Sequence, residues 1–215
     1  MKIFFGGTFN PIHLGHLWIA DHVSCFFKQP VCFIPAGIPC HKTNVLAAEH
    51  RLQMVKLALN ESQHWVSTIE INRSGPSYTI DTIKLLREQY PNETIVWLMG
   101  TDSWQSFSTW DDCKTIQQLA HIIVVNRHPI PKHALTVCPQ ACQAGTHQFL
   151  NIPHHPANST QIRSCPNDFG EWISKPVREY ILSNQLFPLN GTTDLCAHSE
   201  ASAPLSKSSM AGYST

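Results

Sequence analysis

The sequence predicts an α/β fold: a Rossmann-like, doubly wound parallel sheet with helices on both faces and a short helical part at the C-terminal end. Short apolar runs alternate with longer segments of helical periodicity, a pattern typical of a parallel sheet covered on both faces. A glycine pair separates the first apolar run from the first helical segment. The 215 residues suit one domain, predicted over 1–187, with a small appendage.

The first elements are a strand, a helix and a second strand. KIFFG (2–6) is a short apolar run stopped by glycine, which predicts a buried strand. LGHLWIADHVSCFF (14–27) predicts a helix. VCFIPA (31–36) is a second short apolar run and predicts the next strand.

A helix and a strand follow. EHRLQMVKLALN (49–60) predicts a helix, because Leu52, Val55 and Leu59 share one helical face. WVSTIEI (65–71) alternates in the manner of a strand.

The middle of the chain predicts a helix and two further strands. YTIDTIKLLREQY (78–90) has helical spacing, and TIVWLMG (94–100) and HIIVVNR (121–127) are continuous apolar strands. The apolar positions of the helix lie three, three and four residues apart: Ile80, Ile83, Leu86 and Tyr90.

The remainder is less regular. Residues 128–158 are rich in Pro, His, Gln and Ala, and a loop with weak helix is predicted there. STQIRSC (159–165) opens with good N-cap residues. A last helix is predicted from Pro176 to Asn184, and the tail 188–215, with few large apolar residues, is predicted not to order.

Composition excludes several classes of protein. The formal net charge is zero and no basic stripe is visible, which argues against nucleic acid as a partner. No apolar run reaches the roughly 18 residues of a membrane span, and no signal peptide is recognised. The eight cysteines are scattered, so a cytoplasmic protein with reduced thiols is expected. The sequence does not predict an oligomeric state.

Ligand sites in doubly wound sheets lie at the carboxyl ends of the strands, near the point where the strand order reverses. This rule indicates the loops after residues 6, 35, 99 and 126. In the first of these loops, Gly6 and Gly7 let the backbone approach a phosphate, whose charge the next helix N-terminus stabilises. A tight strand-to-helix turn is the alternative interpretation.

Two histidines strengthen the phosphate interpretation. His13 and His16 flank Gly15 and share one helical face beside the glycine loop. Imidazolium binds phosphate oxygens well, and Gly15 is expected to let a ligand come close. Metal ligation by the pair is the alternative, but His22 and Cys25 complete no known zinc pattern.

As a whole, GGTFNPIHLGH (6–16) resembles the signature of the nucleotidyltransferase superfamily that carries HxGH motifs. PAGIPCHK (35–42) resembles the family's phosphate-contacting loop, and NSTQIRS (158–164) its ST-x-IR signature. SGPSYTIDTIKLL (74–86) and MGTDSWQSFSTWDD (99–112) resemble the nicotinate mononucleotide adenylyltransferases, the bacterial NAD-biosynthesis branch.

Some positions depart from the family pattern. Asp is frequent where Asn10 stands, and Pro is common where Cys40 stands. An apolar residue and a Ser usually occupy the positions of Ala157 and Asn158.

The resemblance implies transfer of adenylate from ATP to nicotinate mononucleotide, with release of pyrophosphate and with Mg²⁺ on the triphosphate. The implied catalytic residues are His13, His16, Lys42 and Arg163, which would bind the triphosphate and stabilise its charge. No protein residue is expected to hold a metal. The implied substrate-binding residues are Gly6, Gly7, Thr8, Phe9, His41, Ser77, Tyr78, Thr79, Gly100, Asp102, Trp110, Ser159 and Thr160. Of these, Gly100 and Asp102 are expected near adenosine, and Tyr78, Thr79 and Trp110 near the nicotinate ring.

Other interpretations stay open. The acceptor could be nicotinamide mononucleotide, phosphopantetheine or another phosphate, and a non-catalytic nucleotide-binding module is a different class. Cys138 and Cys142, with His147 nearby, allow a metal-binding protein, although their spacing matches no common zinc module. Ser77, Tyr78, Thr79 and Asp102 could simply cap helices.

Overall fold

The computed structural model describes residues 1–126, 142–164 and 171–187. Six strands form one parallel sheet in the order β3-β2-β1-β4-β5-β6. The strands are β1 Lys2–Gly7, β2 Val31–Pro35, β3 Trp65–Val66, β4 Ile95–Gly100, β5 His121–Asn126 and β6 His147–Asn151. The strand order reverses between β1 and β4, so the predicted doubly wound sheet is confirmed.

Seven α-helices are described, on both faces of the sheet, together with a short 3₁₀ helix at Phe107–Thr109. They are α1 Leu14–Phe27, α2 Ala48–Ala58, α3 Thr79–Gln89, α4 Thr101–Gln105, α5 Cys113–Leu119, α6 Ser159–Ser164 and α7 Lys175–Ser183. Alternate strand residues enter opposite cores, because side chains alternate across a sheet. Phe5 packs with α1, α2 and α7, whereas Phe4 packs with α3 and α5.

The helical periodicity of the sequence is confirmed in the core. Ile80, Ile83 and Leu86 of α3 are buried, and Tyr90 is half-buried beside them. On the face predicted for α2, Val55 is buried and Leu52 is half-buried, and Leu59, the residue that follows the helix, is also buried.

Two predictions of secondary structure are wrong. The strand predicted over 65–71 stops at Val66, and the chain then turns, with the Asn72 N–H donating to the Thr68 carbonyl at 2.8 Å. Residues 147–151, predicted as part of a loop, form the edge strand β6. This strand was missed because Leu150 is its one buried residue, so no apolar run marks it.

Several predictions concern residues outside the described ones. These include residues 128–141 of the predicted loop 128–158, among them Cys138, and the tail 188–215. Cys25, Cys32, Cys40 and Cys113 are free thiols. Among the described helices, none combines the length and the apolarity that crossing a bilayer would require.

Candidate active site

A cleft of about 1000 Å³ opens at the carboxyl ends of the strands, where the strand order reverses between β1 and β4. Its walls are the loops after β1, β2 and β4, the start of α3 and the start of α6. Three of the four loops indicated by the sequence therefore meet at one site. The fourth, after residue 126, lies outside the described residues. The volume suits a large ligand, since small-molecule pockets measure roughly 300–1,000 Å³.

The glycine loop, residues 6–10, forms the floor of this cleft. A Cβ on Gly6 would lie 2.4 Å from the Trp97 ring, and one on Gly7 would lie 2.8 Å from the Phe9 ring. Phe9 has a φ of 49°, a left-handed conformation that side chains rarely adopt. Its buried ring packs against Phe5 and Phe33, which holds this backbone in place. Packing beneath the cleft therefore excludes side chains at the glycine pair.

His13 and His16 stand side by side at the start of α1. Their ring centroids are 3.7 Å apart, and the main-chain N–H of His13 donates to Nδ1 of His16 at 3.2 Å. Because Nδ1 of His16 accepts a hydrogen bond, the proton of the neutral ring sits on Nε2. His16 lines the cleft and packs edge-on against Phe9. His13 is not among the residues that line the cleft, and only 4 % of its surface is exposed.

Gly15 has a different role from the predicted one. A Cβ at this position would lie 3.0 Å from the His13 ring and 3.3 Å from the Ala157 carbonyl oxygen. The position that a Cβ would take on Gly15 is therefore occupied by the protein itself, and Gly15 does not line the cleft. The glycine permits the close approach of the His13 ring and the segment before α6, and the prediction that it makes room for a ligand is wrong.

Two cations, Lys42 and Arg163, line the cleft beside His41. The pKa of the Lys42 ammonium is lowered, first by desolvation and then by the nearby Arg163 guanidinium. Within the described residues, neither cation pairs with a carboxylate. Their charges are therefore available to an anionic ligand in the cleft.

Helix α6 joins Arg163 to the glycine loop. The Arg163 guanidinium donates to the Asn10 carbonyl at 2.8 Å and to the Thr160 hydroxyl at 3.2 Å. The Ser159 hydroxyl donates to the Pro11 carbonyl at 3.0 Å. Both Ser159 and Thr160 also line the cleft, so the ST-x-IR segment and the glycine segment are brought together from opposite ends of the chain.

The opposite wall carries Ser77, Tyr78, Thr79 and Trp110. Thr79 is the first residue of α3, so the free N–H groups of that helix end lie at the cleft. Ser77 does not cap the helix; its hydroxyl accepts the Gly37 N–H at 2.9 Å. Trp110 packs against Phe107, with 5.5 Å between ring centroids.

Gly100 and Asp102 lie at the end of β4, on the cleft wall. The N-cap of α4 is Gly100, and Asp102 stands in the first helical turn, so the capping alternative for Asp102 is wrong. The neighbouring Thr101 hydroxyl donates to the Val125 carbonyl at 3.1 Å, which ties the ends of β4 and β5 together. All predicted site residues except His13 thus line one cleft.

Two buried charged residues at this site were missed by the sequence analysis. Arg51 is 1 % exposed and lies under the loops, and Glu70 is 5 % exposed and lines the cleft. Burial raises the pKa of the Glu70 carboxyl, while hydrogen bonds from Thr82 and Ser77 act in the opposite direction. No local signal identifies either residue, because charged residues in helices and turns are usually exposed.

The metal-binding alternative finds no support among the described residues. No three or more His, Cys, Asp or Glu side chains there are grouped so that they could hold an ion.

Comparison with known proteins agrees with this geometry. The model of the cytidylyltransferase-like family matches residues 4–165. A Tropheryma whipplei (strain Twist) protein named "Probable nicotinate-nucleotide adenylyltransferase" is 38% identical over 187 residues, covering 85% of this chain and 97% of that protein. A Neisseria meningitidis serogroup C (strain 053442) protein of the same name is 39% identical over 194 residues, covering 85% and 96%.

Solved structures share the fold. A Plasmodium falciparum nicotinic acid mononucleotide adenylyltransferase complexed with NaAD superposes with a TM-score of 0.72 at 20% identity, covering 88% of this chain and 99% of that one. Because the family model spans most of the chain and the relatives match over nearly their whole length, the chain belongs to the cytidylyltransferase-like family and, within it, to the nicotinate-nucleotide adenylyltransferases, which are nucleotidyltransferase enzymes.

Proposed function

We propose that this enzyme joins ATP and nicotinate mononucleotide to give nicotinate adenine dinucleotide and pyrophosphate, and that residues 1–187 carry the activity. One observation supports the proposal most strongly. A cationic and glycine-lined wall suited to a triphosphate faces, across one cleft, a wall with a helix N-terminus and a tryptophan suited to a charged aromatic ring. The names of the relatives point to the same reaction.

The chemistry is an in-line displacement at the α-phosphorus of ATP. A 5′-phosphate oxygen of nicotinate mononucleotide forms a bond to this phosphorus as the bond to the bridging oxygen breaks. Pyrophosphate leaves with that electron pair. Because the attacking phosphate is already ionised at neutral pH, no protein nucleophile or strong base is needed. The enzyme then acts by positioning the two phosphates and stabilising their charge.

On the triphosphate side, the amides of Gly7, Thr8 and Phe9 contact the reacting phosphates. Nε2 of His16 donates to the α-phosphate, where charge develops. Lys42 and Arg163 bind the leaving pyrophosphate, and their unpaired positive charges favour this role. The buried ring of His13 packs against the ring of His16 and supports its position. This proposal revises the expectation that His13 contacts phosphate directly.

On the acceptor side, Trp110 stacks on the pyridine ring. The carboxylate of nicotinate is bound at the N-terminus of α3, where N–H groups and the helix dipole favour an anion. Gly100 and Asp102 lie on the wall where adenosine is proposed to bind.

Mg²⁺ is proposed to enter bound to ATP. The donors on the triphosphate wall are amides and cations rather than carboxylates, so phosphate oxygens, not protein side chains, would supply most of its ligands. Once bound, the ion would neutralise part of the triphosphate charge.

A pyrophosphate-release assay with Mg-ATP tests the proposal. The acceptor panel contains nicotinate mononucleotide, nicotinamide mononucleotide and phosphopantetheine. We expect kcat/KM to be roughly tenfold or more higher for the nicotinate form, because the uncharged amide loses the charge-assisted contacts at the start of α3. Equal use of both pyridine nucleotides would contradict the acceptor assignment. Pyrophosphate release with phosphopantetheine but with neither pyridine nucleotide would make phosphopantetheine the acceptor instead.

Trp110→Ala, measured in the same assay, tests the stacking of Trp110 on the pyridine ring. It should raise KM for nicotinate mononucleotide about tenfold while KM for ATP stays within about twofold, since one base–aromatic stack contributes about 1–3 kcal/mol. Trp110→Phe retains a ring and serves as the matched control. Equal effects on both KM values would remove Trp110 from the acceptor side.

A further inference from the structure

Arg51 is a fully buried arginine that makes three hydrogen bonds to main-chain carbonyls. It lies in the first turn of α2 and is 1 % exposed. Its guanidinium donates to the carbonyls of Leu46 at 2.9 Å, Thr8 at 3.0 Å and Gly37 at 2.8 Å. Burying a guanidinium costs free energy unless it is hydrogen-bonded, and here each of its three nitrogens donates to one of these carbonyls.

The three carbonyls belong to two loops that face the cleft. Thr8 lies in the glycine loop, whereas Gly37 and Leu46 mark the two ends of residues 37–46, here named the lysine loop because it carries Lys42. One rigid side chain therefore joins both ends of the lysine loop to the glycine loop. The planar guanidinium has donors at fixed angles, so it sets the distance between these loops more narrowly than a flexible ammonium would.

The main chain of Gly37 is also held by a second side chain, that of Ser77. Its N–H donates to the Ser77 hydroxyl at 2.9 Å, while the carbonyl of the same residue accepts from Arg51. A Cβ on Gly37 would lie 2.5 Å from the main-chain oxygen of Glu70, so no side chain fits there without movement of the backbone. The start of the lysine loop is consequently constrained from three directions.

We propose that Arg51 is a positioning residue for nucleotidyl transfer, which holds the lysine loop and the glycine loop at the separation that one triphosphate requires. The proposal rests on the proposed function, because it assigns the two loops to one substrate. Arg51 itself lies beneath the cleft and does not line it. Its effect on catalysis passes through the main chain of Thr8 and Gly37.

Arg51→Lys is the first test, and Arg87→Lys is its matched control. Arg87 also donates from its guanidinium to main-chain carbonyls, those of Pro91 and Glu93, but in the loop that leads into the amino end of β4, away from the cleft. Both variants are assayed well below their unfolding temperatures. For Arg51→Lys we expect a loss of roughly tenfold to a hundredfold in kcat and a higher KM for ATP, because small displacements of reacting groups are costly. KM for the acceptor should change less. Arg87→Lys should leave kcat and both KM values within about twofold.

Gly37→Ala should displace the main chain that Arg51 binds while Arg51 itself stays intact. The proposal therefore remains testable even if Arg51→Lys does not fold. Gly37→Ala should reproduce the loss in kcat and the rise in KM for ATP. Folded variants of both kinds with unchanged kinetics, or an equal loss in Arg87→Lys, would overturn the proposal.

Titration of Mg-ATP binding by calorimetry separates this proposal from the acceptor assignment. Arg51→Lys should weaken binding relative to the parent whichever acceptor the enzyme uses. Unchanged Mg-ATP affinity in both Arg51→Lys and Gly37→Ala would overturn the positioning role, even if nicotinate mononucleotide is the acceptor. Weakened Mg-ATP binding in the two variants, together with a parent enzyme that does not use nicotinate mononucleotide, would support the positioning role and reject the acceptor assignment.

Discussion

The rings of His13 and His16 lie side by side and tilted, with 3.7 Å between their centroids and 30° between their planes. The main-chain N–H of His13 donates to Nδ1 of His16, which directs the protonated Nε2 of the neutral ring away from this bond. Of the two, His16 lines the cleft and His13 is buried. The HxGH motif therefore has one histidine that lines the cleft and one that is buried beside it.

His16→Ala is expected to lower kcat roughly 10²-fold, because it removes the proposed donor to the charge that develops on the α-phosphate. His16→Asn should show the same loss with less effect on stability, since an asparagine oxygen can replace Nδ1 as the acceptor for the His13 N–H. His22→Asn, on the same helix, is the control and should keep kcat within about twofold. Turnover of His16→Ala within a few-fold of the parent would exclude His16 from this role. Pyrophosphate release and urea unfolding provide the two measurements.

Lys42 is expected to set the alkaline limit of ATP use. Its pKa lies below the ordinary value of 10.5, so the ammonium loses its proton at a lower pH than a solvated lysine. Because the charged form is the one proposed to bind the phosphates, kcat/KM for ATP should fall as pH rises through this lowered pKa. Lys42→Arg should move the fall to higher pH, since guanidinium stays charged. Identical alkaline profiles for both enzymes would assign the limit to another group.

Lys42→Met should raise KM for ATP roughly tenfold or more, as expected for loss of a hydrogen bond between charged groups. Lys56→Met, in the last turn of α2, is the control because Lys56 is exposed and does not line the cleft.

Gly6→Ala is expected to destabilise the protein by about 1–3 kcal/mol through overpacking. The new Cβ would lie 2.4 Å from Cζ2 and 2.7 Å from Cη2 of Trp97, both atoms of the six-membered ring. Phenylalanine lacks the fused ring system, so Trp97→Phe should recover part of the loss when it is combined with Gly6→Ala. Urea unfolding of the parent, the two single variants and the double variant gives the interaction free energy between positions 6 and 97. Simple additivity would show that Trp97 is not the constraint at Gly6.

Glu70 is expected to make stability depend on pH. Its pKa in the folded state is raised above 4.5, chiefly by burial, so the folded state holds its proton more tightly than the unfolded state. The stabilisation that this proton provides is complete below the unfolded pKa and is lost as pH rises through the folded pKa. Glu70→Gln removes this dependence and can still accept the hydrogen bond of Thr82. Its stability relative to the parent should therefore increase from about pH 4.5 upward.

Glu88→Gln is the control for this pH series, because Glu88 is exposed on α3. Its stability relative to the parent should stay constant. A constant difference for Glu70→Gln as well would show that Glu70 does not titrate differently in the two states.

A chain truncated after Phe187 is expected to retain kcat and both KM values within about twofold, because the proposed activity resides in residues 1–187. Loss of turnover in a folded truncated enzyme would extend the functional domain into 188–215.

The sequence predicted much of the fold because its local patterns coincide with the elements. β1 ends at a glycine pair, α1 spans Leu14–Phe27 as predicted, and the spacing of Ile80, Ile83 and Leu86 matches the buried face of α3. Strand β6 was missed because an edge strand is defined by its partner, β5, and needs no apolar run of its own.

Within the site, the sequence by itself predicted which segments meet at the cleft: the glycine–histidine segment, the lysine loop and the ST-x-IR segment each have a motif that can be recognised locally. Only the tertiary structure decided how individual residues are used. Gly15 approaches His13 and Ala157, His13 is buried behind His16, and Arg51 joins loops that are distant in sequence. Burial and long-range hydrogen bonds depend on residues that are distant in sequence, so no local sequence pattern predicts them.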